Sequence, residues 1–99
     1  KKVVLELGSN SDVIVDETAN LNLALSRCII GGFSYAGQSC ISVQRIYVQK
    51  NIYDQFEKSA VEGVKKLKVG DPLNKDTDAG PMISETEAKR IESWVNEAV

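Results

Sequence analysis

The sequence predicts an α/β fold with a largely parallel sheet flanked by helices, because strand-like runs alternate with helical stripes. The strand-like runs are short and β-branched: Val3-Val4-Leu5, Asp12-Val13-Ile14-Val15 and Ile41 to Gln49. The helical stripes carry apolar residues at i, i+4, i+7 and i+8 rather than at every second position.

The first two runs are separated by Gly8-Ser9-Asn10-Ser11, a turn-rich spacer. Their near-continuous apolar character suits strands buried on both faces. From about Asn20 a helix is expected, with Leu21, Leu25, Cys28, Ile29 and Phe33 on one face. Gly31-Gly32 near its end costs about 1 kcal/mol per glycine relative to alanine, so that end either frays or lies against a neighbouring backbone. A turn at Ala36-Gly37-Gln38-Ser39 leads into the third strand, with Val43, Ile46, Tyr47 and Val48. Asn51 is placed as the N-cap of the next helix, Asp54 suits the positive end of its dipole, and Ile52, Phe56, Ala60, Val64 and Leu67 form its stripe. Gly70-Asp71-Pro72 closes that helix and opens a polar loop through Asp76, Thr77, Asp78, Gly80 and Pro81. Ser84 and Glu87 are spaced as a capping box for a last helix striped by Ala88, Ile91, Trp94, Val95 and Ala98.

Composition narrows the partners. Hydrophobic residues make up 42% and charged residues 26%, the proportions of a soluble globular protein. Twelve basic and fourteen acidic side chains leave a net charge of −2. No basic run exceeds Lys65-Lys66, so neither nucleic acid nor an anionic membrane surface is expected as a partner. The stretch from Ile29 to Val43 is nearly uncharged, but its glycines and serines make it too polar to span a bilayer. No secretory signal pattern opens the chain. Two cysteines, Cys28 and Cys40, are too few for a disulfide framework, which favours a reducing compartment and a cytoplasmic location. Without histidine they also fall short of a zinc site. The chain starts within an apolar run and stops within a helical stripe, so it is read as one part of a longer protein, with no second domain among these residues.

Two residues stand out chemically. Cys40 follows the small polar turn Gly37-Gln38-Ser39. Glu6 is the one charge in Val3 to Leu7, and its flanks Leu5 and Leu7 are expected to desolvate the carboxylate and raise its pKa, as suits a base. By residue type alone plainer readings stand beside these. A cysteine near an apolar segment is commonly a small buried hydrophobe, and a strand glutamate commonly lies on an edge or pairs with a base. Cys28, inside the helix stripe, reads as core.

Leu5-Glu6-Leu7-Gly8-Ser9-Asn10-Ser11 resembles the glutamate motif of the aldehyde dehydrogenase superfamily, and Phe33-Ser34-Tyr35-Ala36-Gly37-Gln38-Ser39-Cys40 resembles its cysteine motif. Cys40 stands 34 positions after Glu6 (40 − 6), the spacing of nucleophile and general base in that family. Arg45-Ile46-Tyr47-Val48, Lys68-Val69-Gly70-Asp71-Pro72 and Gly80-Pro81-Met82-Ile83-Ser84 extend the likeness from Val3 to the end. Ser9 stands where most members have a second glycine and Asp12 where proline is frequent, which bears on the backbone after Glu6, since serine tolerates positive φ poorly.

The resemblance implies part of a three-layer catalytic domain spanning residues 1–99, with the cofactor-binding and oligomerisation segments outside it. It implies that the Cys40 thiolate attacks an aldehyde to give a thiohemiacetal and a hydride passes to NAD or NADP. A thioester remains, and water activated by Glu6 hydrolyses it to a carboxylic acid. The Cys40 backbone N–H is then a candidate oxyanion-hole donor. No Gly-rich phosphate-binding turn occurs here, so no cofactor-binding residue is assigned and the 99 residues alone are expected to be inactive. A small-molecule aldehyde is the implied substrate, and a homodimer or homotetramer the implied assembly. Two alternatives are a CoA-acylating member, against which Glu6 speaks, and a non-catalytic α/β interaction module with a merely buried cysteine. A cysteine hydrolase is disfavoured for want of histidine.

Overall fold

A computed structural model describes residues 1–99, which form two compact units, Lys1–Leu67 and Lys68–Val99. The first is built around a βαβ unit: β1 (Ser11–Val15), α1 (Leu21–Phe33) and β2 (Val43–Val48), followed by α2 (Tyr53–Lys65). The two strands are parallel neighbours, with Val13 opposite Ile46 and Val15 opposite Val48. The register slips between Ser11, which faces Val43, and Asp12, which faces Arg45, leaving Gln44 as an extra residue in β2.

Asn20 starts α1 by accepting a hydrogen bond from the Leu23 N–H at 3.1 Å, which satisfies one of the helix's free donors. The helix lays Leu21, Ala24, Leu25 and Cys28 over Val13 and Val15, and Phe56, Ile52 and Ala60 close the core from α2 and the turn before it. Val15, Cys28 and Phe56 are its fully buried members. The place of Cys28 in the helical stripe thus leads to the core position expected of it.

Gly31-Gly32 resolves in favour of close approach. A Cβ on Gly31 would lie 2.8 Å from Val43 Cγ2, and one on Gly32 would lie 3.5 Å from the Val43 carbonyl oxygen. The helical cost of both glycines is therefore offset by packing α1 directly against the start of β2.

Five expectations are corrected. Val3-Val4-Leu5 forms no strand; these residues are exposed, because both strands of the sheet pair with each other and neither pairs with this segment. The strands are covered on one face only. Val15 is buried while its neighbour Ile14 is 82% exposed, as the two-residue period of a strand requires when a single layer packs on it. Ile41 lies outside β2 in a turn. Asn51 does not cap α2: a short 3₁₀ turn, Lys50–Ile52, intervenes, and the Asn51 amide donates to Glu17 Oε2 at 2.9 Å instead. Asp54 does stand in the first turn of α2. That helix ends at Lys65, before Gly70, through the tight 3₁₀-type bonds Lys66 N–H to Gly63 O and Leu67 N–H to Val64 O.

In the second unit the polar loop is closed by its own hydrogen bonds. Asp78 and Ala79 N–H groups donate to the Lys68 carbonyl, and Gly70 N–H donates to that of Ala79. Asp78 Oδ2 accepts from the Lys68 N–H at 2.9 Å. α3 (Glu85–Ala98) begins at Ser84, whose hydroxyl accepts from the Glu87 N–H at 3.3 Å. The capping box is half made. The Glu87 carboxylate turns outward to Arg90, whose guanidinium stacks 4.4 Å over Trp94.

Candidate active site

Cys40 sits on a turn that the end of α1 builds. The last four carbonyls of a helix lack intrahelical donors. Ser34 supplies two for Ile30, its N–H and its hydroxyl, the latter at 2.6 Å. The chain then runs through three left-handed residues, Tyr35 (φ 53°), Ala36 (φ 55°) and Gly37 (φ 76°). Only the glycine takes this conformation freely; each of the others carries about 1–2 kcal/mol of steric cost. Tyr35 and Ala36 are held there by the Gln38 N–H donating back to the Tyr35 carbonyl at 3.1 Å. This left-handed turn reverses the chain and delivers Ser39.

A second turn carries the cysteine itself. The Ser42 N–H donates to the Ser39 carbonyl at 3.0 Å, so Cys40 and Ile41 are its two central residues. The Cys40 N–H, at the first central position, makes no hydrogen bond in the turn or elsewhere, and its side chain is exposed. Cys28 is the opposite case: buried and free, its thiol is pushed above its ordinary value of 9.0 by desolvation.

Ser42 escaped the reading of the sequence, where it counted only as one polar residue in a broken apolar stretch. It is the buried polar residue of the chain, 3% exposed, and its hydroxyl lies 3.3 Å from each of the Gly31 and Gly32 carbonyl oxygens. The available signal was the pairing of a serine just past the cysteine with two glycines at a helix end, where orphan carbonyls need a donor.

Glu6 departs from expectation. Leu5 and Leu7 are exposed and leave its carboxylate in solvent, so burial does not desolvate it. The carboxylate folds back, and Oε1 accepts the Gly8 N–H at 2.8 Å. A Cβ on Gly8 would come within 3.1 Å of that oxygen, which gives this glycine a local reason. Ser9 is not left-handed, so serine in place of a second glycine carries no backbone penalty here. No hydrogen bond joins Glu6 to Cys40; the two segments are linked further along. With its amide oriented to satisfy its neighbours, Asn10 accepts from Arg45 Nε (3.1 Å) and Nη2 (2.8 Å) and donates to Gln44 Oε1. This bond spans the register slip at the entry to β1.

The residues present do not fit a dinucleotide phosphate. In a nucleotide-binding βαβ unit the first turn is glycine-rich and opens onto helix N–H groups. Here it reads Asp16-Glu17-Thr18-Ala19-Asn20: the Asp16 carboxylate accepts the Thr18 N–H and hydroxyl, and Asn20 takes the Leu23 N–H. The Thr18 hydroxyl and N–H hold the Asp16 pKa below its ordinary 3.8, so the turn between β1 and α1 carries a carboxylate in place of free N–H groups. No helix is long and apolar enough to cross a membrane.

A βαβ unit that presents an exposed cysteine on the turn between its helix and its second strand defines a scaffold of the α/β class. The aldehyde dehydrogenase family model matches residues 1–99, and the chain belongs to that family. It is 52% identical over its whole length to the 3-sulfolactaldehyde dehydrogenase of Priestia megaterium, of which it covers 21%. Among solved structures, it is similar to glyceraldehyde-3-phosphate dehydrogenase GapN of Methanocaldococcus jannaschii, complexed with NADP. That likeness has a TM-score of 0.88 and 46% identity, over 97% of this chain and 21% of that one. Betaine aldehyde dehydrogenase of Staphylococcus aureus in complex with NAD+ aligns at TM-score 0.84 and 38% identity, over 92% of this chain and 18% of that one. The chain therefore spans about a fifth of the length of its relatives.

Proposed function

We propose that these residues supply the nucleophile and the general base of an aldehyde dehydrogenase that oxidises a small aldehyde to a carboxylic acid. Cys40 is the nucleophile. Its thiolate adds to the carbonyl carbon, and the oxygen that becomes negative lies within reach of the Cys40 N–H, which the turn leaves without a partner. The oxidation needs a hydride acceptor, which NAD or NADP supplies when held by parts of the protein outside these residues. The resulting Cys40 thioester is hydrolysed by a water that gives its proton to Glu6 and its hydroxide to the acyl carbon, releasing the acid and the Cys40 thiolate. A carboxylate folded onto its own Gly8 N–H has to swing outward to reach that water, and the exposed segment around it leaves room to do so.

The observation that carries this reading is the contrast between the two cysteines, one exposed on a turn with a free N–H and the other sealed in the core. It also weighs against an interaction module whose cysteine is merely buried. Glu6 favours water over coenzyme A as the acceptor of the acyl group. Two unpaired thiols suit a cytoplasmic location, and a homodimer or homotetramer is the proposed assembly. In the full-length protein, iodoacetamide is expected to alkylate Cys40 at least about tenfold faster than Cys28, aldehyde to slow that reaction, and Cys40→Ser to abolish aldehyde-dependent formation of NAD(P)H. Full turnover by Cys40→Ser would refute the proposal.

A further inference from the structure

We infer that Ser42 is a positioning residue for Cys40, acting through the turn that both residues share. The inference rests on the reading of Cys40 as nucleophile. Three observations on different atoms lead to it. The Ser42 N–H closes the turn whose first central residue is Cys40, by its 3.0 Å bond to the Ser39 carbonyl. The Ser42 hydroxyl lies 3.3 Å from both the Gly31 and the Gly32 oxygens, so the far end of the turn is tied to the end of α1. Val43, the next residue, packs in the gap left by the missing Cβ of Gly31.

The near end of the turn carries no buried side chain. It arrives through three left-handed residues, two of them not glycine, a conformation that relaxes when its surroundings allow. Cys40 itself is exposed. The position of its thiol and of its N–H therefore depends on the end that is anchored, and Ser42 is the anchor. One hydroxyl facing two helix-terminal carbonyls also explains why the residue is polar although it is buried: a methyl group there would leave those oxygens without a donor from this side.

Displacement by about 1 Å at a reacting group costs on the order of 10²-fold in rate, whereas substrate binding to the remainder of the pocket is untouched. Ser42→Ala in the full-length enzyme is therefore expected to lower kcat by about 10- to 100-fold with KM within about twofold, and Ser42→Thr, which keeps the hydroxyl, to recover most of that loss. The control is Asn20→Ala, which removes the cap at the other end of the same helix. It is expected to lower thermal stability but to leave kcat unchanged when the assay is run well below the unfolding transition. Unchanged kcat in folded Ser42→Ala, or an equal kcat loss in Asn20→Ala, overturns the inference. Should Ser42→Ala yield no folded enzyme, kcat is read on Ser42→Cys, a weaker donor of similar size, and wild-type kcat there overturns it equally. Cys40→Ser is assayed alongside: turnover persisting in that variant strikes down the nucleophile reading itself, whereas its loss, combined with an indifferent Ser42→Ala, removes only the role of Ser42.

Discussion

Alanine at Gly31 and alanine at Gly63 set two kinds of steric overlap against each other, and the shorter distance is expected to be the less harmful. A Cβ on Gly63, in α2, would lie 2.3 Å from Ile29 Cδ1; one on Gly31, in α1, would lie 2.8 Å from Val43 Cγ2. Both glycines are helical, so either substitution gains about 1 kcal/mol of helix propensity. At Gly63 the obstacle is the last carbon of a flexible side chain. Turning Ile29 about its outer torsion relieves the contact for about 0.5–1.5 kcal/mol, and the net effect is close to zero. At Gly31 the obstacle is attached directly to the Cβ of a β-branched residue with a stiff χ1, at the start of β2 opposite Ser11. Restoring ordinary contact of about 3.5–4 Å there requires the backbone to shift by about 1 Å, with an overpacking cost of about 1–3 kcal/mol. The net destabilisation is about 0–2 kcal/mol, and the shift passes to Ser42 and the cysteine turn. Thermal unfolding and steady-state kinetics of the two full-length variants test this side by side. Gly63→Ala is expected to keep wild-type kcat and to hold Tm within about 2 °C. Gly31→Ala is expected to lower Tm by a few degrees, since 1 kcal/mol corresponds to about 2–4 °C in larger domains, and to reduce kcat about tenfold or more. If Gly63→Ala is the more damaging variant, the reasoning from neighbour stiffness is wrong.

Glu6→Gln is expected to slow turnover by about 10²–10⁴-fold and let a Cys40 acyl-enzyme accumulate, visible as a mass increase on the intact protein; hydrolysis at the wild-type rate would remove Glu6 from the base role. Burial raises the Cys28 pKa above 9.0, so the stability it contributes is fully present below that pH and is lost as pH rises through the folded value. Replacing Cys28 by alanine should therefore flatten the decline in Tm at alkaline pH while lowering Tm at neutral pH. Asp16 has the opposite sign: its lowered pKa contributes stability above 3.8 that fades as pH falls through the folded value. Thr18→Val removes the hydroxyl that is the largest cause, and is expected to raise the Asp16 midpoint in a carboxylate NMR titration.

The βαβ order, the helical stripe that ends with Cys28 in the core, and the motifs around Glu6 and Cys40 were legible along the chain. Each is a matter of local period or local residue type, and both survive whatever the chain later packs against. Val3-Val4-Leu5 shows where that ends: β-branched composition makes a strand possible, but a strand exists only when a second backbone offers hydrogen bonds, and β1 and β2 pair with each other. The desolvation expected of Glu6 failed for the same reason, since leucine neighbours in sequence exclude water only when something packs on them. Asn51 likewise has a capping residue's chemistry, yet the chain makes the 3₁₀ turn Lys50–Ile52 before α2 begins, so Asn51 lies one position too early to cap it.

The cysteine turn divides along the same line. That a small, polar segment precedes Cys40 is written in Gly37-Gln38-Ser39, and the family motif names the residue. That Tyr35 and Ala36 are left-handed, that the Cys40 N–H is free and that Ser42 is buried were decided by tertiary structure. The burial of Ser42 follows from α1 ending against β2 at Gly31 and Gly32, a contact between residues whose placement no local propensity specifies.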